Sequence, residues 1–294
     1  MKLSLSGRLW QTSDGYSITL REHIALARQF GYEGLEVRHP MLPGGDEIGA
    51  IKSLLCEARL VPVFCFCAGL PRTEASWSDA LRVAETMQAL GGEAVRVAVT
   101  QSDELEVVRD LAVRLDPLGL AVLVHNHLDT LCDTTEKSLA VLEKIGHPRV
   151  RLLLDCAHLL MAEETNLPRA LERLLPWVDV VNVQNVCRAE GGNIRGTHDC
   201  WRHVPPHHPG GIAFSEILRH LQYLGFDGWL NVMTAVSPDE DAAAFAKDYW
   251  NLLDEGRKIS PQAHDLQARP ESPKISHQNN TKAETRGDFS GSLD

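Results

Sequence analysis

Short apolar runs alternate with longer amphipathic stretches along the chain, eight times over. The runs are KLSLS from Lys2, GLEVR from Gly34, PVFCFC from Pro62, AVRVAV from Ala94, AVLVHN from Ala121, RLLLD from Arg151, VVNVQN from Val180 and WLNVM from Trp229. Each has the length and apolar character of a strand buried in a parallel sheet. The stretches between them carry apolar residues at helical spacing. In ITLREHIALARQFG, Ile18, His23, Ile24, Ala27 and Phe30 fall near one face; Leu81, Ala84, Met87, Ala89 and Leu90 do the same in DALRVAETMQALGG. Gly31 and Gly91 stand where a helix stop is expected. Regular alternation over roughly 250 residues predicts an α/β fold closed as a (β/α)₈ TIM barrel. An open doubly wound sheet would need a glycine-rich phosphate turn after its first strand, and SLSGRLWQ does not supply one.

The pattern stops near Gly256. Residues 257–294 are polar and almost free of large apolar side chains, so little there offsets the entropy lost on ordering. The expected organisation is a barrel over residues 1–256 and a disordered C-terminal tail over 257–294.

Composition narrows the partners. With 294 residues, 44% of them hydrophobic, the chain is long enough to bury a sizeable core. A net charge of −11 opposes binding to a phosphate backbone, so no nucleic-acid partner is expected. The seven cysteines, several of them within apolar runs, read as buried thiols of a reducing compartment. No signal-peptide core or membrane span is visible, and the expected location is cytoplasmic with no membrane partner.

In a barrel of this kind the catalytic groups sit at the C-terminal ends of the strands. The fifth run ends in HNHLDTLCDT, where His125 and His127 are two apart and share one side of a strand. They suit either metal ligation or proton transfer, or a structural pair of hydrogen-bonded rings. The sixth ends in Asp155, followed by His158 one helical turn later. A carboxylate closing a buried strand must be paired or coordinating, unless it simply caps the next helix. The seventh run presents Asn182 and Gln184 on one face and Asn185 on the other; the eighth reaches the mouth with Met233 and Thr234. Arg38, Arg96 and Arg188 are candidates to hold an anionic or polyhydroxylated ligand, with Glu36 on the second run beside them. In the loop HDCWRHVPPHHPGG, His198, His203, His207 and His208 are expected to face solvent.

The order HNHLDTLCDT, LLLDCAHL, VVNVQNV and PGGIAFSEILRHLQYLGFDGWLNV, with GYEGLEVR earlier, resembles the sugar phosphate isomerase and epimerase superfamily of xylose-isomerase-like barrels. The resemblance implies a sugar-like small-molecule substrate, one divalent metal (Mn²⁺, Mg²⁺, Co²⁺ or Zn²⁺) and a homo-oligomer. It also implies metal ligands at His125, Asp155, Asn182 and Met233, where the family carries Glu, Asp, His and Glu. Only Asp155 keeps the family residue, so the two-glutamate epimerisation of the family is not available. A metal held by His125 and Asp155, with His127, His158 or Asp133 assisting, is one outcome; a site without metal is the other. The functional expectation is an isomerase, epimerase or related lyase moving a proton on a carbohydrate or keto-sugar, with His125, His127, Asp155 and His158 catalytic. Glu36, Arg38, Arg96, Asn182 and Gln184 would bind substrate. The alternatives are a catalytically degenerate, metal-poor barrel that binds a sugar-like ligand or a partner protein, and an apurinic-site endonuclease, against which the negative charge counts.

Overall fold

A computed structural model describes residues 1–66, 69–189 and 200–259. Eight parallel strands close a barrel: β1 (Lys2–Ser6), β2 (Gly34–Arg38), β3 (Val61–Phe66), β4 (Ala94–Val97), β5 (Ala121–His125), β6 (Val150–Asp155), β7 (Val178–Val183) and β8 (Trp229–Val232). Each pairs with the next in sequence, and β8 pairs with β1 through Lys2 opposite Trp229 and Leu5 opposite Val232. The main helices outside are α1 (Leu20–Phe30), α2 (Ile48–Ala58), α3 (Glu74–Leu90), α4 (Glu104–Leu115), α5 (Thr135–Ile145), α6 (Cys156–Met161), α7 (Leu167–Leu174), α8 (Phe214–Tyr223) and α9 (Ala242–Lys258).

Helix ends follow from local chemistry. Thr19 and Glu22 form a reciprocal cap on α1, and Gly31 ends that helix at φ 91°. Thr73 and Ser76 cap α3 in the same manner, and Gly91 ends it at φ 87°. Ile18 lies ahead of the cap, so it packs from the loop and not from the helix. Helix α9 runs to Lys258, two residues past the expected domain boundary. The tail from residue 260 and His198 lie outside the described residues. Among the described residues no helix is long and apolar enough to cross a membrane.

The inside of the barrel has two levels. At the N-terminal level Val63, Phe64, Ala94, Leu123, Leu153, Val180 and Trp229 form a separate apolar cluster. Gly34 makes room for it: a Cβ there would lie 2.6 Å from a Val63 methyl and 2.7 Å from the Trp229 ring. Two residues further along five of these strands, on the same face, stand Arg96, His125, Asp155, Asn182 and Asn231, all buried. The apolar plug is therefore the floor, and the polar level above it opens to the mouth.

Candidate active site

Strand ends β5 and β6 bring the predicted acid–base groups together. His125 Nε2 lies 3.6 Å from Asp155 Oδ2, and His158 Nε2 approaches the same oxygen at 4.0 Å. The His127 and His158 rings face each other at 3.9 Å between centroids. The Asn126 side chain ties the two strand ends, accepting from the Asp155 backbone N–H at 2.6 Å and donating to its carbonyl at 3.0 Å.

Asp155 performs both roles that its position allows. Its Oδ1 accepts from the Ala157 N–H at 2.9 Å and caps α6, while Oδ2 turns into the mouth and accepts from Gln184 Nε2 at 2.6 Å and Asn182 Nδ2 at 3.3 Å. Complete burial pushes the carboxyl up to about 7, against the pull of these donors.

Hydrogen bonds fix the imidazole tautomers. Arg96 Nη2 donates to His125 Nδ1 at 2.7 Å, and a guanidinium only donates; this contact is much closer than the 3.4 Å between Asn182 Nδ2 and Nε2, and it assigns the ring proton to Nε2, on the side of Asp155. Burial, then the neighbouring Arg96 charge, drives His125 well below the ordinary histidine range, and the ring stays neutral. His158 Nδ1 accepts from the Leu128 N–H at 3.3 Å, which again leaves the proton on Nε2. His127 is the reverse. Its Nδ1–H donates to the Leu128 carbonyl at 2.8 Å, making Nε2 the basic nitrogen of that ring.

A cavity of about 240 Å³ sits over these groups. Arg8, Arg38, Arg96 and Phe66 line one part; His125, His127, His158 and Gln184 line another, with Met161, His203 and Met233 completing it. Among the described residues no carboxylate lines it. Glu36 lies beneath, bonded to Arg38 Nη1 at 2.7 Å and to Asn231 Nδ2 at 3.3 Å. Burial alone would raise the Glu36 carboxyl, but the Arg38 and Arg96 charges outweigh it and hold it below the usual range. A larger groove of about 500 Å³ near Tyr16, Met41 and Ile51 lies away from the strand ends, with Arg21 and Glu47 as its charged lining residues.

Of the residues singled out in the sequence, His125, His127, Asp155, His158, Arg38, Arg96, Asn182, Gln184 and Glu36 therefore meet in or just below one cavity. Arg188 does not join them. It pairs with Glu163 at 2.7 Å, and its side chain is half exposed. Asp133 pairs with Lys137 at 2.8 Å and plays no part at the mouth. His207 is exposed, and His208 accepts from the Gly210 N–H, as loop residues do. His203 is exposed as expected, yet it also borders the cavity. The antiparallel pairing of Val186–Arg188 with Trp201–His203 carries it to the cavity, where Nδ1 lies 3.2 Å from Thr234 Oγ1.

Sequence reasoning missed Arg8, Phe66 and Asn231. Asn231 is the hub of the polar level: its side chain accepts from Ser4 Oγ at 2.8 Å and donates to Asn182 Oδ1 at 2.9 Å and to Glu36. Alternation within WLNVM, which puts Trp229, Asn231 and Met233 on one face, was the available signal.

Comparison with known proteins bears on the fold. The family model for the xylose isomerase-like TIM barrel matches residues 24–251. No curated protein matches the chain in a sequence comparison. Among solved structures, the probable 3-DHS dehydratase AsbF of Bacillus anthracis shares 18% identity over 86% of this chain and 99% of that one, with TM-score 0.70. An IOLI protein with a bound zinc atom shares 17% over 88% and 100%, also at TM-score 0.70. A third similar structure, an L-ribulose 3-epimerase, shares 16% over 92% and 99% at TM-score 0.69.

A metal is the group such a barrel brings to mind, and His125, Asp155 and His158 offer ligand atoms within 4.8 Å of one another, compact enough for one ion. The donor chemistry does not fit. A ligating imidazole donates its other ring N–H to an acceptor, whereas both Nδ1 atoms here receive protons from groups that cannot accept, a guanidinium and a backbone N–H. The lone pairs that an ion needs at both Nε2 atoms are thus occupied by hydrogen. By the match over most of its length, the chain belongs to the xylose isomerase-like TIM barrel family.

Proposed function

We propose that this protein moves a proton on a small sugar-like molecule, a carbohydrate or keto-sugar, at the C-terminal mouth of its barrel, as an isomerase, epimerase or related lyase. The observation that carries the reading is the division of labour among three imidazoles on one cavity. His125 and His158 turn N–H groups toward Asp155, and His127 alone has its Nδ1 proton committed to a carbonyl, so that its Nε2 is basic. An imidazole of that form suits general-base catalysis near neutrality.

In this reading a substrate carbonyl oxygen lies against the Arg96 guanidinium. His127 Nε2 takes the proton from the adjoining carbon; the electron pair of that C–H bond becomes a C=C bond to the carbonyl carbon, and the carbonyl π pair moves onto oxygen, where Arg96 opposes the developing charge. Return of the proton to the former carbonyl carbon, with the hydroxyl proton passing from one oxygen to the other, gives an isomer; departure of a hydroxyl from the next carbon, leaving as water with the proton carried by His127, gives an elimination product. Gln184 and Asn182 hold Asp155, whose Oδ2 faces the two N–H-bearing rings at 3.6 and 4.0 Å.

The test is deuterium uptake from D₂O into a panel of ketoses, inososes and oxidised glycosides, read by mass spectrometry. At least one substrate should exchange, and His127→Gln should slow that exchange by roughly 10²–10⁴-fold, the usual weight of a general base. Absence of exchange across the panel would sink the reading. The replaced family positions His125, Asn182 and Met233 favour a second reading, a barrel that binds its ligand without turnover, and it predicts binding with no exchange.

A further inference from the structure

We propose that the mouth is an anion site in which Arg96, flanked by Arg8 and Arg38, supplies the fixed positive charge that a divalent ion would otherwise bring, and that its ligand carries a carboxylate or phosphate group. The inference rests on the mouth being the ligand site argued above, and names the class of molecule that enters it.

Three guanidiniums converge on a cavity whose lining, among the described residues, includes no carboxylate. Among the described residues, a buried carboxylate, Glu36, pairs with Arg38 alone of the three; neither Arg8 nor Arg96 forms an ion pair. Glu36 is shared electrostatically with Arg96 and Arg8, and Asp155 acts on Arg96, so among the described residues three guanidiniums face two buried carboxylates in a chain whose net charge is −11.

Arg96 is 8% exposed, and its buried Nε–H has no hydrogen-bond partner. A buried donor left unpaired is costly unless something arrives to accept from it. The Arg96 and Arg38 guanidiniums lie over the same Phe66 ring, at 4.5 and 4.9 Å from its centroid, which limits the directions in which their N–H groups point. Carboxylate and phosphate oxygens match such a fork of donors. A divalent cation would meet repulsion from all three guanidiniums, besides the two ring protons that occupy its ligand positions.

Isothermal titration calorimetry at constant ionic strength tests the inference with four probes: inorganic phosphate, D-glucuronate, fructose 6-phosphate and fructose. The charged sugar of the right class should bind at least tenfold more tightly than fructose, and phosphate should compete with it. Comparison of glucuronate with fructose 6-phosphate separates carboxylate from phosphate recognition. Arg96→Lys should weaken the anion at least tenfold. Arg8→Gln should do so too, and because Arg8 is half-buried at the rim, that variant keeps the fold, as circular dichroism would verify. Equal affinity for fructose, no measurable binding of either anion, or unchanged affinity in both variants overturns the proposal.

The metal half has its own readouts. Zinc, manganese and magnesium chlorides should show no stoichiometric binding, and ¹⁵N spectra of the imidazoles should show His125 and His158 protonated on Nε2. One ion per chain, lost on His125→Ala, overturns it. Anion binding without deuterium exchange would leave this site standing and remove the proton-transfer reading; exchange into neutral ketoses with no anion preference would do the reverse.

Discussion

Asp155 shows how one side chain combines a structural and a chemical task. Oδ1 caps α6, while Oδ2 accepts from Asn182 on β7 and from Gln184 just past it and lies 3.6 and 4.0 Å from the His125 and His158 Nε2 atoms. Its carboxyl is raised to about 7 by burial, against an ordinary value of 3.8 that the unfolded chain retains. The folded state therefore binds the extra proton between those values, and this group's contribution to stability is present at low pH and is lost as pH rises from about 4 to about 7. His125, held well below its ordinary value, acts in the opposite sense and withdraws stability as pH falls below 6.5. The parent profile is the sum of the two. Asp155→Asn removes only the first and keeps an oxygen for the helix cap. Urea denaturation across pH 4–8 should thus show the variant gaining on the parent as pH rises through that window; a constant difference would mean that the carboxyl titrates normally.

Strand β8 ties the polar level together, because Asn231 bonds to β1, β2 and β7 through Ser4, Glu36 and Asn182. Asn231→Leu, close in volume, strands Ser4 Oγ and Asn182 Oδ1 inside the barrel and takes one donor from Glu36, which keeps Arg38. Each buried group left unpaired costs about 1–3 kcal/mol, so chemical denaturation should report a loss of roughly 3 kcal/mol or more, and a value under about 1 kcal/mol would show that the network relaxes around the gap. The same strand marks the limit of what the sequence disclosed. All eight strands were legible, since each buried run is bounded by polar turns. Their C-terminal ends were overrun, as at Met233 and Gln184, because the apolar or amide character continues one or two residues after the ladder stops at Val232 and Val183. Those residues leave the ladder to line the mouth. Asp155, His125 and His127 could be found because ionisable side chains closing apolar runs are conspicuous. Asn231 could not be found that way, being a neutral amide inside the run. Arg8 lies in a short 3₁₀ turn, Gly7–Trp10, whose direction the flanking residues do not specify.

Over the whole molecule the charge is divided unevenly: a net −11 on the chain and guanidiniums gathered at the strand ends. The fold is that of structures reported with zinc and with magnesium at 17% and 14% identity, a likeness that fixes the barrel and leaves the chemistry of its mouth to the residues present. Here those residues are a donor-rich ring of Arg, Gln, Asn and Nε2-protonated His above two buried carboxylates, Asp155 and Glu36. If an ion held β5 and β6 together, its removal would loosen the barrel. If guanidiniums do the work, chelation should change nothing and a bound anion should tighten the fold. A ligand at a hundred times its dissociation constant stabilises by about 2.7 kcal/mol, and a domain of this size shifts by roughly 2–4 °C per kcal/mol. Differential scanning calorimetry should accordingly show Tm within about 1 °C of its starting value after dialysis against EDTA, and roughly 5–10 °C higher with the saturating sugar anion. A fall in Tm on chelation, reversed by zinc, would return the metal to the mouth and make the Nε2 protons of His125 and His158 the feature in need of another explanation.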